Sequence, residues 1–280
     1  MRQLPADQRR AAVMMHTELA GVWLLLGQTA PAVTQIGNAD RLVAIMIAND
    51  RGMEPTRAFA IRWYAFITGM YAAQGQVDAA DRFVRVGLAA FPRAAELYVA
   101  RGSIQEMRAG MDESDHLGRA ITDRDITRDL TRLLEAAAAD FQHALDLDGA
   151  LALAHLHRGR VHHLLGDNRA SHDLETALAG ATDDRVRYLA HLFLGAVAER
   201  RNDLDAARRE YEAARAVGPY QTSYIALSRV EGALGRSDRA RDIALEYAHL
   251  TDKVDDPWWD YRLGEFNAGA LSWLRHEARR

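Results

Sequence analysis

Apolar residues recur every three or four positions along almost the whole chain, and strand-like alternation is missing. This spacing places apolar side chains on one face of a helix, so it predicts an all-helical protein. Glycine or proline arrives every dozen or so residues and divides the pattern into short helices. Helices this short cannot bury an apolar stripe alone, so we expect antiparallel helix hairpins that pack on one another.

Residues 191–219 indicate how one such hairpin is built. A Leu-Gly pair ends at Gly195, and Ala207, Tyr211 and Pro219 follow in that order. Gly195 lets the second helix approach the first, Tyr211 fills the space between the two helices, and Pro219 ends the second helix. Each residue type therefore has a steric reason at its position.

The same order of residue types recurs along the chain and resembles the tetratricopeptide repeat, a unit of two antiparallel helices. Tyr98 and Gly102 lie one repeat length after Tyr64 and Thr68, with Thr68 in place of the small glycine. About five copies are identified in residues 61–250. The resemblance is to a bacterial type of the family. It implies an all-α, right-handed superhelical solenoid of helix hairpins, whose first helices line a concave groove.

The ends of the chain depart from the repeat and suggest a division into three parts. Residues 1–52 are expected to form a helix pair that caps the array, residues 53–256 the repeat array, and residues 257–280 a C-terminal capping helix segment. The aromatic residues expected to seal the last hairpin are Trp258, Trp259, Tyr261 and Trp273. Alternatively, the N-terminal helices or the tail fold into the groove, or the aromatic residues form a platform for a ligand.

The N-terminal pair is predicted in more detail from its spacing. A loop is expected at residues 28–38, with Asn38 or Asp40 capping the second helix. Residues at helical spacing that are expected to pack on a neighbouring helix are Met15, Leu19, Val22 and Leu26.

An insertion at residues 109–130 interrupts the second repeat between its two helices. Residues 111–125 carry both charge signs without apolar periodicity, which predicts a solvated loop, and from about Thr127 the insertion is expected to extend the following helix. The alternative is a lid or a partner contact, because long loops in compact domains are often functional.

Charge and composition limit the partners. The formal charge is -4 and the pI is about 6.3, which gives no basic field for nucleic acid. No apolar run reaches the roughly 18 residues of a membrane span. The chain as given is expected in the cytoplasm, or in the periplasm or outside the cell if a signal sequence preceded it.

Candidate chemistry is sparse. Because the chain has no cysteine, thiolate catalysis and common zinc sites are excluded. No phosphate-binding glycine loop, nucleophile elbow or HExxH motif occurs. Five histidines fall within residues 155–172, but on a helix only His155 and His162 share a face. We therefore expect no enzyme activity, metal or cofactor, and a metal-dependent protein or enzyme built on this repeat is the alternative.

The resemblance also implies which positions face the groove. Residues carried over for partner binding are Arg62, Val99, Glu106, Leu156, Arg160, His163, Leu192, Ala196, Glu199, Arg200, Ile225 and Arg229. They mix apolar side chains with Arg and Glu, which suits an amphipathic or extended peptide. A protein or peptide partner is thus expected, with a homodimer through the same surface, or a small-ligand receptor closed by the insertion, as alternatives.

Overall fold

The computed structural model describes residues 4–50, 53–115, 123–251 and 254–262. Across these ranges the chain forms thirteen helices and no strand, as the periodicity predicts. In chain order the helices are α1 (Ala6–Leu25), α2 (Thr29–Asp50), α3 (Glu54–Ala73), α4 (Val77–Ala90), α5 (Ala95–Asp115), α6 (Asp123–Leu147), α7 (Ala152–Leu165), α8 (Ala170–Gly180), α9 (Asp184–Arg200), α10 (Leu204–Val217), α11 (Gln221–Ala233), α12 (Ser237–His249) and α13 (Pro257–Arg262).

Helices α1 to α12 pack in consecutive pairs, so that each odd-numbered helix lies against the even-numbered helix that follows it. Successive pairs stack, because α2 contacts α3, α4 contacts α5, and the pattern continues to α10 and α11. The first helices also contact one another in the series α3, α5, α7 and α9, which makes them one inner face. The predicted all-α stack of helix hairpins is therefore confirmed.

Small residues let the two helices of a hairpin approach closely. A Cβ atom at Gly195 would lie 2.6 Å from Cδ1 of Tyr211, and one at Gly102 would lie 2.6 Å from Cε1 of Phe141. Both aromatic side chains are fully buried. Glycine is thus required where a large residue of the second helix crosses the first, which confirms the packing predicted for residues 191–219.

The N-terminal helix pair shares a hydrophobic core with α3, α4 and α5. The indole nitrogen of Trp63 donates a hydrogen bond of 3.0 Å to the hydroxyl of Thr17, and the hydroxyl of Tyr64 donates one of 3.2 Å to Asp40. These polar contacts satisfy side chains at the junction between α1, α2 and α3. The three-part division of the chain stays a prediction.

The expected loop at residues 28–38 is wrong, because α2 already begins at Thr29. Gly27 ends the first helix with a left-handed φ of 70°, a conformation that glycine adopts without strain. Pro31 lies in the first turn of α2, where no backbone N–H is needed for the helix. Asn38 and Asp40 are therefore inside a helix and do not cap it.

The apolar stripe predicted to pack on a neighbour also lies elsewhere. Its four residues are exposed in the structure: Met15, Leu19, Val22 and Leu26. The side of α1 that packs instead carries Val13, Ala20 and Leu24. Because α1 is apolar on several sides, periodicity alone did not distinguish its buried face from its exposed face.

The insertion is more helical than the sequence predicts. Helix α5 continues to Asp115 and α6 begins at Asp123, so the loop expected over residues 111–125 is wrong at both of its ends. Residues 116–122 lie outside the described ranges. The insertion thus lengthens both helices of the second hairpin, since each can add turns without breaking its hydrogen-bond ladder.

Candidate functional site

The residues predicted to bind a partner all lie on the first helices of the hairpins, α3, α5, α7, α9 and α11. Exposed among them are Arg62, Arg200, Ile225 and Arg229. Partly exposed are Arg160, His163, Ala196 and Glu199. Buried are Val99, Glu106, Leu156 and Leu192. Their role in binding stays a prediction, and one of the buried residues, Glu106, contacts the segment described next.

Residues 254–262, here called the tail segment, lie against the inner face and contain the short helix α13. The buried carboxylate of Asp256 fixes one end. It accepts hydrogen bonds from the backbone N–H of Thr222 at 2.7 Å and of Trp258 at 2.9 Å, and from the hydroxyl of Tyr188 at 3.2 Å. One side chain therefore joins the starts of α11 and α13 to α9.

Tyr261 fixes the other end of the tail segment. Its hydroxyl donates a hydrogen bond of 2.5 Å to Glu106 on α5, and its ring stacks on His157 of α7 at a centroid distance of 4.7 Å. The second carboxylate oxygen of Glu106 accepts a bond of 2.8 Å from Nδ1 of His157. Tyr261 is 6% exposed, so this contact is part of the packed interior of the groove.

Trp258 lies between these two ends. Its ring is edge-on to Phe193 of α9 at 5.7 Å and stacks on Tyr261 at 5.8 Å. The guanidinium carbon of Arg160 lies 5.7 Å from the centroid of the Trp258 ring and 5.2 Å from that of Phe193. The tail segment is thus held by aromatic stacking, cation–π contacts and charged hydrogen bonds.

The sequence favoured a tail that seals the last hairpin. The described residues of the tail segment lie mainly against earlier hairpins instead. Helix α13 packs on α9, and Tyr261 reaches α5 and α7. The alternative, in which the tail folds into the groove, describes these residues correctly. Trp273, the fourth aromatic residue of that prediction, lies outside the described residues.

A cavity of about 590 Å³, here called the groove pocket, opens beside the tail segment between α5, α6 and α7. The tail supplies one wall through Trp258, Tyr261 and Arg262. Gly110 and Leu130, at the two ends of the insertion, also line it. The pocket is therefore bounded by two of the segments that depart from the repeat, the insertion and the tail segment.

Beyond the tail segment, the groove surface on α9 and α11 is more open. Ile225 is 58% exposed. Arg229 pairs with Glu199 at 2.5 Å, and Glu199 also accepts a hydrogen bond of 2.5 Å from the hydroxyl of Tyr211. Arg200 donates to the backbone carbonyl of His163. This part combines an exposed apolar side chain with a fixed network of charged groups.

His163 gives this surface a pH dependence. Burial, and then the positive charges of Arg160, Arg200 and Arg201, lower the pKa of His163 from 6.5 to about 4. Between about pH 4 and pH 6.5, this histidine therefore carries a proton in the unfolded chain but not in the folded chain. Stability should fall as the pH falls through this window.

Replacement of His163 with glutamine tests this assignment, because glutamine does not titrate. Urea unfolding at pH 7 and at pH 4.5 should show a smaller loss of stability for His163→Gln than for the original chain. His172, an exposed histidine of the same repeat, provides the matched variant His172→Gln. Equal losses in the His163→Gln and original chains would contradict the assignment.

The histidine-rich third repeat is organised around the buried carboxylate of Asp173. Arg158 donates to it through Nε at 3.1 Å, and His162 through Nδ1 at 2.7 Å. The Nδ1 atom of His155 lies 3.7 Å from Asp173, so His155 and His162 share a face as predicted. Burial alone raises the pKa of Asp173, but the bonds from His162 and Arg158 outweigh it and hold the pKa at about 2.

Two features are absent from the ranges that the structure describes. No group of three or more His, Asp or Glu side chains is arranged to hold a metal ion in these ranges. No helix described here is long and apolar enough to cross a membrane.

Sequence reasoning missed three residues that position the tail segment: Asp256, Phe193 and His157. Asp256 accepts from backbone N–H groups at the starts of two helices at once, α11 and α13. Phe193 and His157 follow directly after predicted groove positions, Leu192 and Leu156. Their contribution depends on what the groove contains, which the repeat pattern does not describe.

No protein-family model matches the chain, and no curated protein is significantly similar to it in sequence. Solved structures are similar in fold. PilW, a type IV pilus biogenesis factor, has a TM-score of 0.57 at 18% identity over 85% of this chain and 93% of that chain. PilF of Pseudomonas aeruginosa has 0.55 at 17% identity over 88% and 93%. The human IFIT1 dimer with m7Gppp-AAAA has 0.54 at 17% identity, over 86% of this chain and 55% of that chain.

At these identities the likeness concerns the fold and not the activity. The neighbours share the stack of helix hairpins, and the chain itself carries the glycine and aromatic packing that such a stack requires. Together these findings show that the chain has the fold of a tetratricopeptide repeat protein.

Proposed function

We propose that this protein is a non-catalytic interaction module that binds a peptide segment of a partner protein in its concave groove. The observation that carries the proposal is the tail segment, a short stretch of the chain itself that lies in the groove as a peptide ligand would. Solenoid neighbours of the same fold support a protein-interaction scaffold in general terms.

The contacts of the tail segment indicate which peptides suit the groove. Trp258 and Tyr261 are three residues apart on a helix, so both rings face the same side. Glu106 and His157 provide a polar end for a tyrosine hydroxyl, while Phe193 and Arg160 provide a surface for an indole. A partner segment with a short helix and two aromatic residues at this spacing would use the same surface.

Other partner classes are less well supported. IFIT1 is a neighbour whose structure contains a capped RNA, but the charge of -4 on this chain opposes binding to phosphates. We therefore propose a peptide, and not a nucleic acid, as the ligand of the groove.

A peptide supplied in trans tests the proposal. A fluorescently labelled peptide with the sequence of residues 254–262 is titrated into the full chain and into its Tyr261→Ala variant, and binding is followed by fluorescence anisotropy. We expect the peptide to bind Tyr261→Ala at least tenfold more tightly, because the chain's own tail segment competes less for Glu106 and His157.

The matched control is Trp259→Ala, since Trp259 is 53% exposed beside the anchoring Trp258. This variant should bind the peptide no better than the original chain does. A peptide with alanine in place of Trp258 and Tyr261 should not bind. Equal binding of the two peptides, or no binding to Tyr261→Ala, would rule out the groove as a peptide site.

A further inference from the structure

We propose that the groove pocket binds a small molecule with an alkyl body and a single carboxylate group. This goes beyond the proposed function, because it concerns a small molecule that binds beside the tail segment and not a peptide that takes its place. The volume of about 590 Å³ falls within the range of small-molecule sites. What distinguishes it from an ordinary surface depression is the separation of apolar and cationic groups along its walls.

The floor of the groove pocket is aliphatic. Its apolar side chains are Met107, Leu130, Leu134, Leu164 and Leu165. Met107 and Leu134 are buried under the pocket, whereas Leu164 is 39% exposed. Flexible aliphatic side chains on α5, α6 and α7 match an alkyl chain, which would remove the exposed leucine surface from water.

Two arginines lie at the wall formed with the tail segment. The guanidinium carbons of Arg160 and Arg262 are 5.7 and 5.9 Å from the centroid of the same ring, that of Trp258. In the part of the chain that the structure describes, neither forms an ion pair with a carboxylate, unlike Arg229. A guanidinium that stacks on a ring keeps its N–H edge available for a carboxylate.

The charge balance selects a monoanion. Glu106 also lines the groove pocket, and its two carboxylate oxygens contact the hydroxyl of Tyr261 and Nδ1 of His157. The formal charges of Arg160, Arg262 and Glu106 leave a single positive charge at this wall. One carboxylate neutralises it, whereas a phosphate dianion would leave a buried excess of negative charge.

Ligand binding is then linked to the tail segment. Because Trp258, Tyr261 and Arg262 form one wall of the groove pocket, a bound carboxylate stabilises the arrangement in which the tail segment occupies the groove. A ligand that favours this arrangement must weaken binding of a peptide that displaces it.

Calorimetric titration of the full chain with decanoate, kept below its micelle concentration, tests the proposal. We expect measurable binding, and at least tenfold weaker binding of decanol and of decyltrimethylammonium, which lack the negative charge. Arg160→Gln and Arg262→Gln should each weaken decanoate binding at least tenfold, and Leu164→Gln should weaken it as well. The matched control is Arg239→Gln on α12, an exposed arginine far from the pocket in sequence, which should bind as the original chain does.

Circular dichroism melts of each variant show whether the fold is retained, and Arg262 and Arg239 are both exposed. Absence of decanoate binding, equal binding of the cationic amphiphile, or unchanged binding by Arg160→Gln and Arg262→Gln would each overturn the proposal. The peptide titration keeps the two proposals separate. Peptide binding without decanoate binding rejects the groove pocket alone, and the reverse result rejects the peptide site alone.

Discussion

Replacement of Asp256 with alanine is expected to lower the free energy of unfolding by about 3 kcal/mol, because it leaves one buried and two partly buried donors without their acceptor. The donors are the backbone N–H groups of Thr222 and Trp258 and the hydroxyl of Tyr188. Burial, and then the negative charge of Asp256, raise the pKa of Tyr188, so this hydroxyl stays protonated. Loss of the hydrogen bonds to Asp256 should release the tail segment from the groove.

Urea unfolding followed by circular dichroism measures the loss of stability, and limited trypsin digestion at Arg262 measures the release of the tail segment. The neighbouring Asp255 is exposed, so Asp255→Ala provides a matched control. It should change the free energy of unfolding by no more than about 0.5 kcal/mol and the rate of trypsin digestion by no more than about twofold. If Asp256→Ala were as stable and as resistant to trypsin as Asp255→Ala, the anchoring role of Asp256 would be refuted.

Replacement of Gly195 with alanine is expected to cost about 2 to 3 kcal/mol, because the added methyl group collides with Tyr211. Its Cβ atom would lie 2.6 Å from Cδ1 of that ring. Tyr211 cannot easily yield, since it is buried and its hydroxyl is bonded to Glu199. Relief of the collision would require α10 to move away from α9.

Gly232→Ala is the matched control, because Gly232 also lies inside a first helix but a Cβ atom there meets nothing within 4 Å. Alanine at that position should stabilise the chain by about 0.5 to 1 kcal/mol through its helix propensity. Thermal and urea unfolding of both variants give the comparison. A Gly195→Ala variant as stable as the original chain would mean that the hairpin tolerates a wider spacing than its packing indicates.

The repeat architecture could be predicted because its determinants are local and periodic. The positions of Gly195 and Tyr211, or of Gly102 and Phe141, follow from one repeat unit, and the structure confirms their contacts. The start of α2 and the extent of the insertion were predicted wrongly. Pro31 is compatible with both a loop and a first helical turn, and the charged residues of the insertion are compatible with both a loop and a solvated helix.

The candidate site was only partly predictable. The family register places Glu106 and Arg160 on first helices, but it does not indicate that Glu106 is buried under Tyr261 or that Arg160 stacks on Trp258. These contacts join residues far apart in sequence. Their geometry depends on the curvature of the stacked hairpins and on the path of the chain after the last one.

The sequence by itself determined the helical class, the hairpin unit and the small and large residues that hold each hairpin together, because helix periodicity and close packing act over a few turns. Only the tertiary structure decided that residues 254–262 occupy the inner face, with Asp256 at α11 and Tyr261 at α5. The position of the tail segment depends on many weak contacts with four separate hairpins. A local sequence pattern cannot predict it, because these contacts join residues far apart in the chain.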